Sequence, residues 1–574
     1  MQNEYQTAHH DRHRSTDHGS AQWATYADLE AGGWVNSKRG MTLGYVHSSD
    51  DTPYYERVTY DGNQHLITIA NNRSGKGTTA IIPALLDYRG AVLCIDPKGE
   101  NAYITGEARE RLHGQSVQYV DPWNITAAKL GKDPACFNPM DILRLDSPTL
   151  SDDCELIADA LVIPSGGDDH WAIEAKALLV GFLGHVATAN MEHGQRHLPR
   201  VRDILSLPPA AMMEIIDDMA KSRHDFVRKA AGRWMQKTDR EAASVLSTAN
   251  ANTHFLDSPA MRASMEKSSF RFEGLKDPAA PLSVFLILPA DRLRTHARWL
   301  RVMVAMAIKA IIDAKTKPRE PALFLLDEFA ALGRMTVIEQ AFGLMAGYGM
   351  QMWAILQDLS QLQDLYKTRW QTFIANAGVM QVFGTRDMAT AEYVSKLAGN
   401  TTLEILTEAT HRRRTEKFLW IKPDPAALSM ADKAFGRLLI TPDEVMKLAE
   451  GTQLLFLPKQ HPAIVEKVPY IVNARYWNPE TGLPAFRVHE DYPEPKECLF
   501  VTLESHQRFK DAGQNVTFAT APEAPSKNRG RSFWRLLVPA AIGIVGWQML
   551  VFVKDVCIKP FGDGVVADLL ACFK

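Results

Sequence analysis

The stretch from Leu66 to Glu100 constrains this chain more than any other. It reads LITIA, NNRSGKGTT, AIIPALLDY and RGAVLCIDPKGE, almost without interruption. The first block is apolar and rich in β-branched residues, the second is a glycine-bearing loop, and the third is a helical pattern that Pro83 enters within its first turns. The order is strand, loop, helix, strand. A loop that leaves a strand and opens a helix offers backbone N–H groups that have no intrahelical acceptor, and such a turn holds phosphate. The expected nucleotide contacts are Arg73, Ser74, Gly75, Lys76, Gly77, Thr78 and Thr79, with the Lys76 ammonium reaching the terminal phosphates. Against the general pattern G-x-x-x-x-G-K-S/T, Ala70 replaces the first glycine and Gly77 replaces the hydroxyl residue that ligates magnesium. Thr78, one residue on, or a water is expected to take that place.

A bare GKG is as often a plain turn before a helix as a phosphate loop, so the surrounding sequence decides. Far downstream, PALFLLDEFAALGRM carries a continuous apolar run, Ala322 to Leu326, which reads as a buried parallel strand. It delivers Asp327 and Glu328 at its carboxyl end, the edge where open α/β sheets bind ligands. Asp327 is expected to hold magnesium, and Glu328 to act as general base on the attacking water. QMWAILQDLSQL gives another apolar strand ending in Gln357, placed to contact the γ-phosphate or the water. Together these point to a nucleoside triphosphatase that uses ATP and Mg2+.

The motifs RSGKG with IPALL, DPKGE, LLDEFAALGRM, QDLSQLQDLY and FGTRDMATAEYVSKLAG, in that order, closely resemble the type IV coupling proteins, the TraG-type ATPases of conjugation and type IV secretion. The resemblance runs from HGSAQWAT (His18 to Thr25) to about Tyr476. It implies a RecA-like motor domain that assembles as a homo-hexamer. Its expected partners are a relaxase or relaxosome, single-stranded or double-stranded DNA, and channel components at the inner membrane. Gly77 after the lysine is ordinary in that family. A ring ATPase needs a cation from its neighbour at the γ-phosphate. Candidates are Arg386 in FGTRD, the cluster Arg292, Arg294, Arg298 and Arg301, and more weakly Arg334.

The fold class expected is α/β: a RecA-like P-loop motor with an inserted all-α domain and a C-terminal transmembrane helix. In residue numbers the expectation is a polar tail over 1–20, a first nucleotide-binding part over 21–140, the all-α domain over 141–274 and a second nucleotide-binding part over 275–490. An extension and linker over 491–535, a span over 536–553 and a short tail over 554–574 complete it. Ser151 is the expected N-cap of the first inserted helix. Between Arg196 and Arg240 ten Lys or Arg face six acids, for which a solvated face is the commoner meaning; the resemblance, in which the all-α domain receives substrate, implies that this stretch is a candidate surface for DNA or a relaxosome partner. HRRR, His411 to Arg414, reads as a solvated loop.

A formal charge of −3 excludes a globally basic nucleic-acid binder, so contacts to DNA must come from local patches. With six cysteines and no C-x-x-C pair, the bulk of the chain suits a reducing cytosol. The His-rich start shows neither a signal peptide nor the paired transmembrane helices common at the start of the resembled family. Leu536 to Val553, uncharged, is long enough to span a bilayer, for which about 17 to 25 residues suffice. The expected location is thus the inner membrane, with a single C-terminal pass and a cytoplasmic motor; Cys557 and Cys572 would share the far side and either pair or stay as buried thiols. Two rival readings are a septal or chromosome-segregation translocase, for which no winged-helix reader is visible, and a nucleotide-gated substrate receptor, against which Asp327, Glu328 and Gln357 argue.

Overall fold

The apolar runs before the glycine-bearing loop and after its helix become two strands of one sheet, with two other strands between them, in the computed structural model, which describes residues 19–49, 54–163, 169–409, 429–490 and 502–512. These lie within one unit, 1–518; a second unit, 519–574, lies outside the described residues. The strands are β1 (Met41–His47), β2 (Tyr55–Tyr60), β3 (His65–Ile69), β4 (Val92–Asp96), β5 (Ser116–Val120), β6 (Leu282–Ile287), β7 (Ala322–Leu326), β8 (Met350–Leu356), β9 (Ala377–Val382), β10 (Asn400–Ala409), β11 (Ser429–Leu438), β12 (Thr452–Phe456) and β13 (Ala463–Glu466). Eleven form a sheet in the order β2-β1-β13-β12-β9-β3-β8-β7-β4-β6-β5, while β10 and β11 pair as a separate antiparallel ribbon. From β9 to β5 all neighbours are parallel, and β12, β13, β1 and β2 extend the sheet antiparallel.

β3, β4, β7 and β8 are buried along their whole length, which explains why their sequences are mostly apolar. Alternate side chains feed two cores: Ile67, Ile69, Leu93, Ile95, Phe324 and Leu326 enter one, and Leu66, Val92, Cys94, Leu323, Leu325 and Trp353 the other. The long helix Leu293–Asp313 belongs to the first core. Between β5 and β6 the described residues contain helices and no strand, and Cys154, Ile157, Phe182 and Leu183 from that stretch pack into the same first core. The helical stretch is therefore fastened to one face of the sheet by shared apolar burial.

Its first helix, Leu150–Leu161, is preceded by Thr149, which corrects the expected cap at Ser151. The reason is local competition. Thr149 Oγ1 is held by Asp153 Oδ2 at 3.0 Å, and Ser151 Oγ donates to Asp152 Oδ1 at 3.2 Å, so carboxylates of the first turn take both hydroxyls.

Buried polar groups fix the strand that carries the loop. Trp353 Nε1 donates to Thr68 Oγ1 at 2.8 Å, Thr68 Oγ1 donates to Gln381 Oε1 at 2.8 Å, and Gln381 Nε2 donates to Gln453 Oε1 at 3.2 Å, which ties β8, β3, β9 and β12 in register. Arg109, fully buried, donates to the carbonyls of Leu85, Tyr88 and Gly90, to Gln115 Oε1 and to Ser283 Oγ. All its donors are thereby directed to neutral acceptors, and the helix after the loop is anchored to the start of β4. Burial pushes the Arg109 guanidinium down to about 9.

Among the described residues no helix is long and apolar enough to cross a membrane. Leu536 to Val553, Cys557, Cys572, the His-rich start up to His18 and His411 to Arg414 lie outside the described residues.

Candidate functional site

β3 hands the chain to the loop through two left-handed backbone positions, Arg73 (φ +62°) and Gly75 (φ +85°). The helix after it opens with a wide turn, Gly77–Ile81, in which the Ile82 N–H reaches the Gly77 carbonyl five residues back before an ordinary helix, Ile82–Asp87, takes over. Wide turns of this kind are rare and concentrate at functional sites. The hydroxyls of Thr78 and Thr79 both donate to the Gly75 carbonyl, at 3.1 and 2.9 Å. The N–H groups of Gly75 and Lys76 take no acceptor among the described residues, and the Ser74 hydroxyl is buried with no partner there. A Cβ built on Gly77 would meet nothing within 4 Å. Free donors around open space are what a phosphate group requires.

The acids arrive from two strands away. β8 lies between β3 and β7, so Asp327 and Glu328 face the loop across the end of β8, which carries Gln357. Lys76 Nζ lies 2.7 Å from Asp327 Oδ1 and 3.5 Å from Glu328 Oε1. Burial alone would lower the Lys76 pKa, but the charge and hydrogen bond of Asp327, then Glu328, hold it above the ordinary lysine value. Burial raises the Asp327 carboxyl above its ordinary range, and Lys76 offsets part of that rise.

Glu328 itself adopts φ +63°, a backbone state that costs a non-glycine residue about 1–3 kcal/mol. The turn is held in place from both sides. Phe329 is fully buried against Tyr366 and Phe373, and Arg301 donates to the carbonyls of Leu332 at 2.7 Å and Arg334 at 2.8 Å.

Three further groups sit at this sheet edge. The Asn71 amide, oriented to satisfy both its ends, donates to the Gln357 carbonyl and accepts from the Arg386 N–H, each at 3.2 Å. One loop side chain thus links the ends of β8 and β9, and places Arg386 beside the loop with its own side chain exposed. Asp96, at the end of β4, is buried and accepts from the Ala102 N–H at 2.8 Å. Burial first, then the nearby charge of Asp327, raises it to about 7. Sequence reading missed Asn71 and Asp96; the doubled asparagine before RSGKG and the acid that opens DPKGE were the available signals.

Other expected cations go elsewhere. Arg301 is 2% exposed and spends its remaining donors on the carbonyls of Ala160 and Asp159, so it faces no neighbouring subunit. Arg298 donates twice to Asn252 Oδ1, and Arg292 stacks over Trp123 at 4.4 Å, while Arg294 and Arg334 are exposed. In the basic run, Arg200 pairs with Glu192, Arg202 with Asp257, Arg233 and Lys237 with Glu174, and Arg228 and Lys229 with Asp225. Six of the ten cations thus pair with four carboxylates, three of which lie outside 196–240, and the stretch offers less free charge to DNA than its composition implies.

Fold and site together define an α/β protein of the phosphate-loop type, with loop and acids on the carboxyl edge of a large mixed sheet. Its sequence matches the profile of the family described as Type IV secretory system Conjugative DNA transfer over residues 22–520, and the chain belongs to that family. It is 28% identical over 520 residues to a conjugal transfer protein TraG of Escherichia coli, covering 82% of this chain and 79% of the relative. It is 25% identical over 463 residues to the protein VirD4 of Rhizobium rhizogenes, covering 79% of this chain and 65% of that one. Among solved structures it is similar to the plasmid coupling protein TrwB in complex with ADP and Mg2+, with a TM-score of 0.53 and 15% identity over 78% of this chain and 94% of the other. The unbound form of TrwB gives a TM-score of 0.55, also at 15% identity, a likeness of fold.

Proposed function

We propose that this chain is the ATP-hydrolysing coupling subunit of a type IV secretion or conjugation system, which receives a relaxase-bound DNA or effector substrate and drives it to the membrane channel as a homo-hexamer. The observation that carries the reading is Lys76, which reaches from the loop across the end of β8 to both Asp327 and Glu328. Free N–H groups around Gly75 and Lys76, with Arg73, Ser74, Gly77, Thr78 and Thr79, cradle the phosphates, and Lys76 leaves its carboxylate partners for the terminal phosphate. Asp327 and Thr78 would hold magnesium, which when bound would supply positive charge against the phosphates. Glu328 takes the proton of the attacking water, and Gln357 orients that water. Arg386, exposed beside the loop, completes the site of the adjoining subunit.

Mixing two inactive variants tests the ring. Arg386→Ala keeps its own loop, and Lys76→Ala keeps its arginine, so equimolar mixing restores ATP hydrolysis to sites formed between unlike subunits. Mixtures as inactive as their components would remove Arg386 from this role.

The helical stretch over 141–274 is the proposed substrate-receiving part, and the uncharged run Leu536 to Val553 the proposed single membrane pass. Deleting the chain after Arg531 is expected to move the protein from the membrane fraction to the supernatant with its ATPase intact. Full-length protein already in the supernatant without detergent would contradict the anchor.

A further inference from the structure

Lys467 follows β13 in the antiparallel extension, far from the loop in sequence, yet its ammonium lies against the loop. Its Nζ donates to the Ser74 carbonyl at 3.1 Å and sits 4.4 Å from the centre of the Phe383 ring, with the residue only 8% exposed. Its backbone is fixed as well, since the Lys467 N–H donates to the Gly451 carbonyl at 2.7 Å. The Ser74 carbonyl and the Gly75 N–H belong to one peptide group. A cation on the carbonyl side pins that peptide and polarises it, which strengthens the N–H on the opposite side as a donor. That N–H takes no acceptor among the described residues.

We propose that Lys467 is a positioning residue of the nucleotide site, which holds the Ser74–Gly75 peptide so that the Gly75 N–H faces the phosphates of a bound nucleoside triphosphate. This deepens the nucleotide reading above and rests on it. Lys467 never touches the reacting atoms, so its effect falls on affinity and not on the chemical step. Its charged neighbours are Glu450 and Glu466, which favour the ammonium; from the end of β9 it meets the Phe383 ring. Burial outweighs them and lowers its pKa to about 8. A group depressed in this way is charged below that pH and neutral above it, so its hold on the loop fades as pH rises through about 8.

The test is binding of a fluorescent ATP analogue with Mg2+, beside steady-state ATP hydrolysis, by the full chain and its Lys467→Met and Lys467→Arg variants from pH 6.5 to 9.5. Lys467→Met is expected to weaken binding and raise KM about tenfold with kcat within about twofold, the scale of one charge-assisted hydrogen bond. Lys467→Arg restores most of the affinity. Wild-type affinity falls above pH about 8, whereas Lys467→Met gives a flat profile. Unchanged affinity in Lys467→Met, or an arginine variant as weak as the methionine one while both melt like the wild type, would overturn the inference alone. A wild type that binds no nucleotide would overturn this inference together with the nucleotide reading.

Discussion

Lys76→Ala will abolish ATP hydrolysis, lowering turnover by at least about 10²–10³-fold, because it removes the side-chain cation that joins the loop to the acids. The fold survives. Removing one partner of a buried ion pair costs about 3–5 kcal/mol when the other is left charged. Asp327 has a way out: its carboxyl, already raised by burial, takes up a proton once Lys76 is gone. A carboxylate whose folded pKa is raised stabilises the fold below that pKa and loses this contribution as pH rises through it. The melting-temperature gap between Lys76→Ala and wild type is therefore expected to be smallest at acidic pH and to widen as the pH rises. A gap independent of pH would show that Asp327 is not the group left unpaired.

Glu328→Gln separates binding from chemistry. The amide is nearly isosteric and tolerates φ +63° no worse than the acid, so neither the turn nor the 2.7 Å contact of Lys76 with Asp327 is disturbed. What disappears is the base. ATP is expected to bind within a few-fold of wild type while kcat falls by about 10²–10⁴-fold. Single-turnover and steady-state rates should fall together, since the chemical step becomes limiting. An unchanged kcat would take the general-base role away from Glu328.

How far the sequence spoke for the site follows from the range of each interaction. The strand before Lys76 and the strand before Asp327 are local patterns, because a strand buried on both faces must be apolar throughout. Strand order is not local. Nothing in LITIA or FLLDE announces that β8 lies between them, and that placement is what brings Gln357 to the loop. Lys467 and Asn71 act through contacts between strands remote in sequence, and the backbone of Glu328 is set by Phe329 and Arg301 packing around the turn.

The pairing within the basic run was hidden for a related reason. Glu174 and Glu192, before Arg196, and Asp257, beyond Arg240, pair four of its cations from outside the run. Arg301 looked like an interface residue because a helical pattern shows which residues share a face and not what covers it; the covering carbonyls come from the helix ending at Leu161 and from the turn after β7.

The most direct test of a DNA-coupled motor built on Lys76, Asp327 and Glu328 is the ATPase rate per subunit of the full chain, measured against protein concentration with and without single-stranded DNA, with Glu328→Gln alongside. The rate is expected to rise steeply with concentration and further with DNA, while Glu328→Gln stays near zero at every point. A rate per subunit independent of both concentration and DNA, or one that Glu328→Gln reproduces, would contradict it.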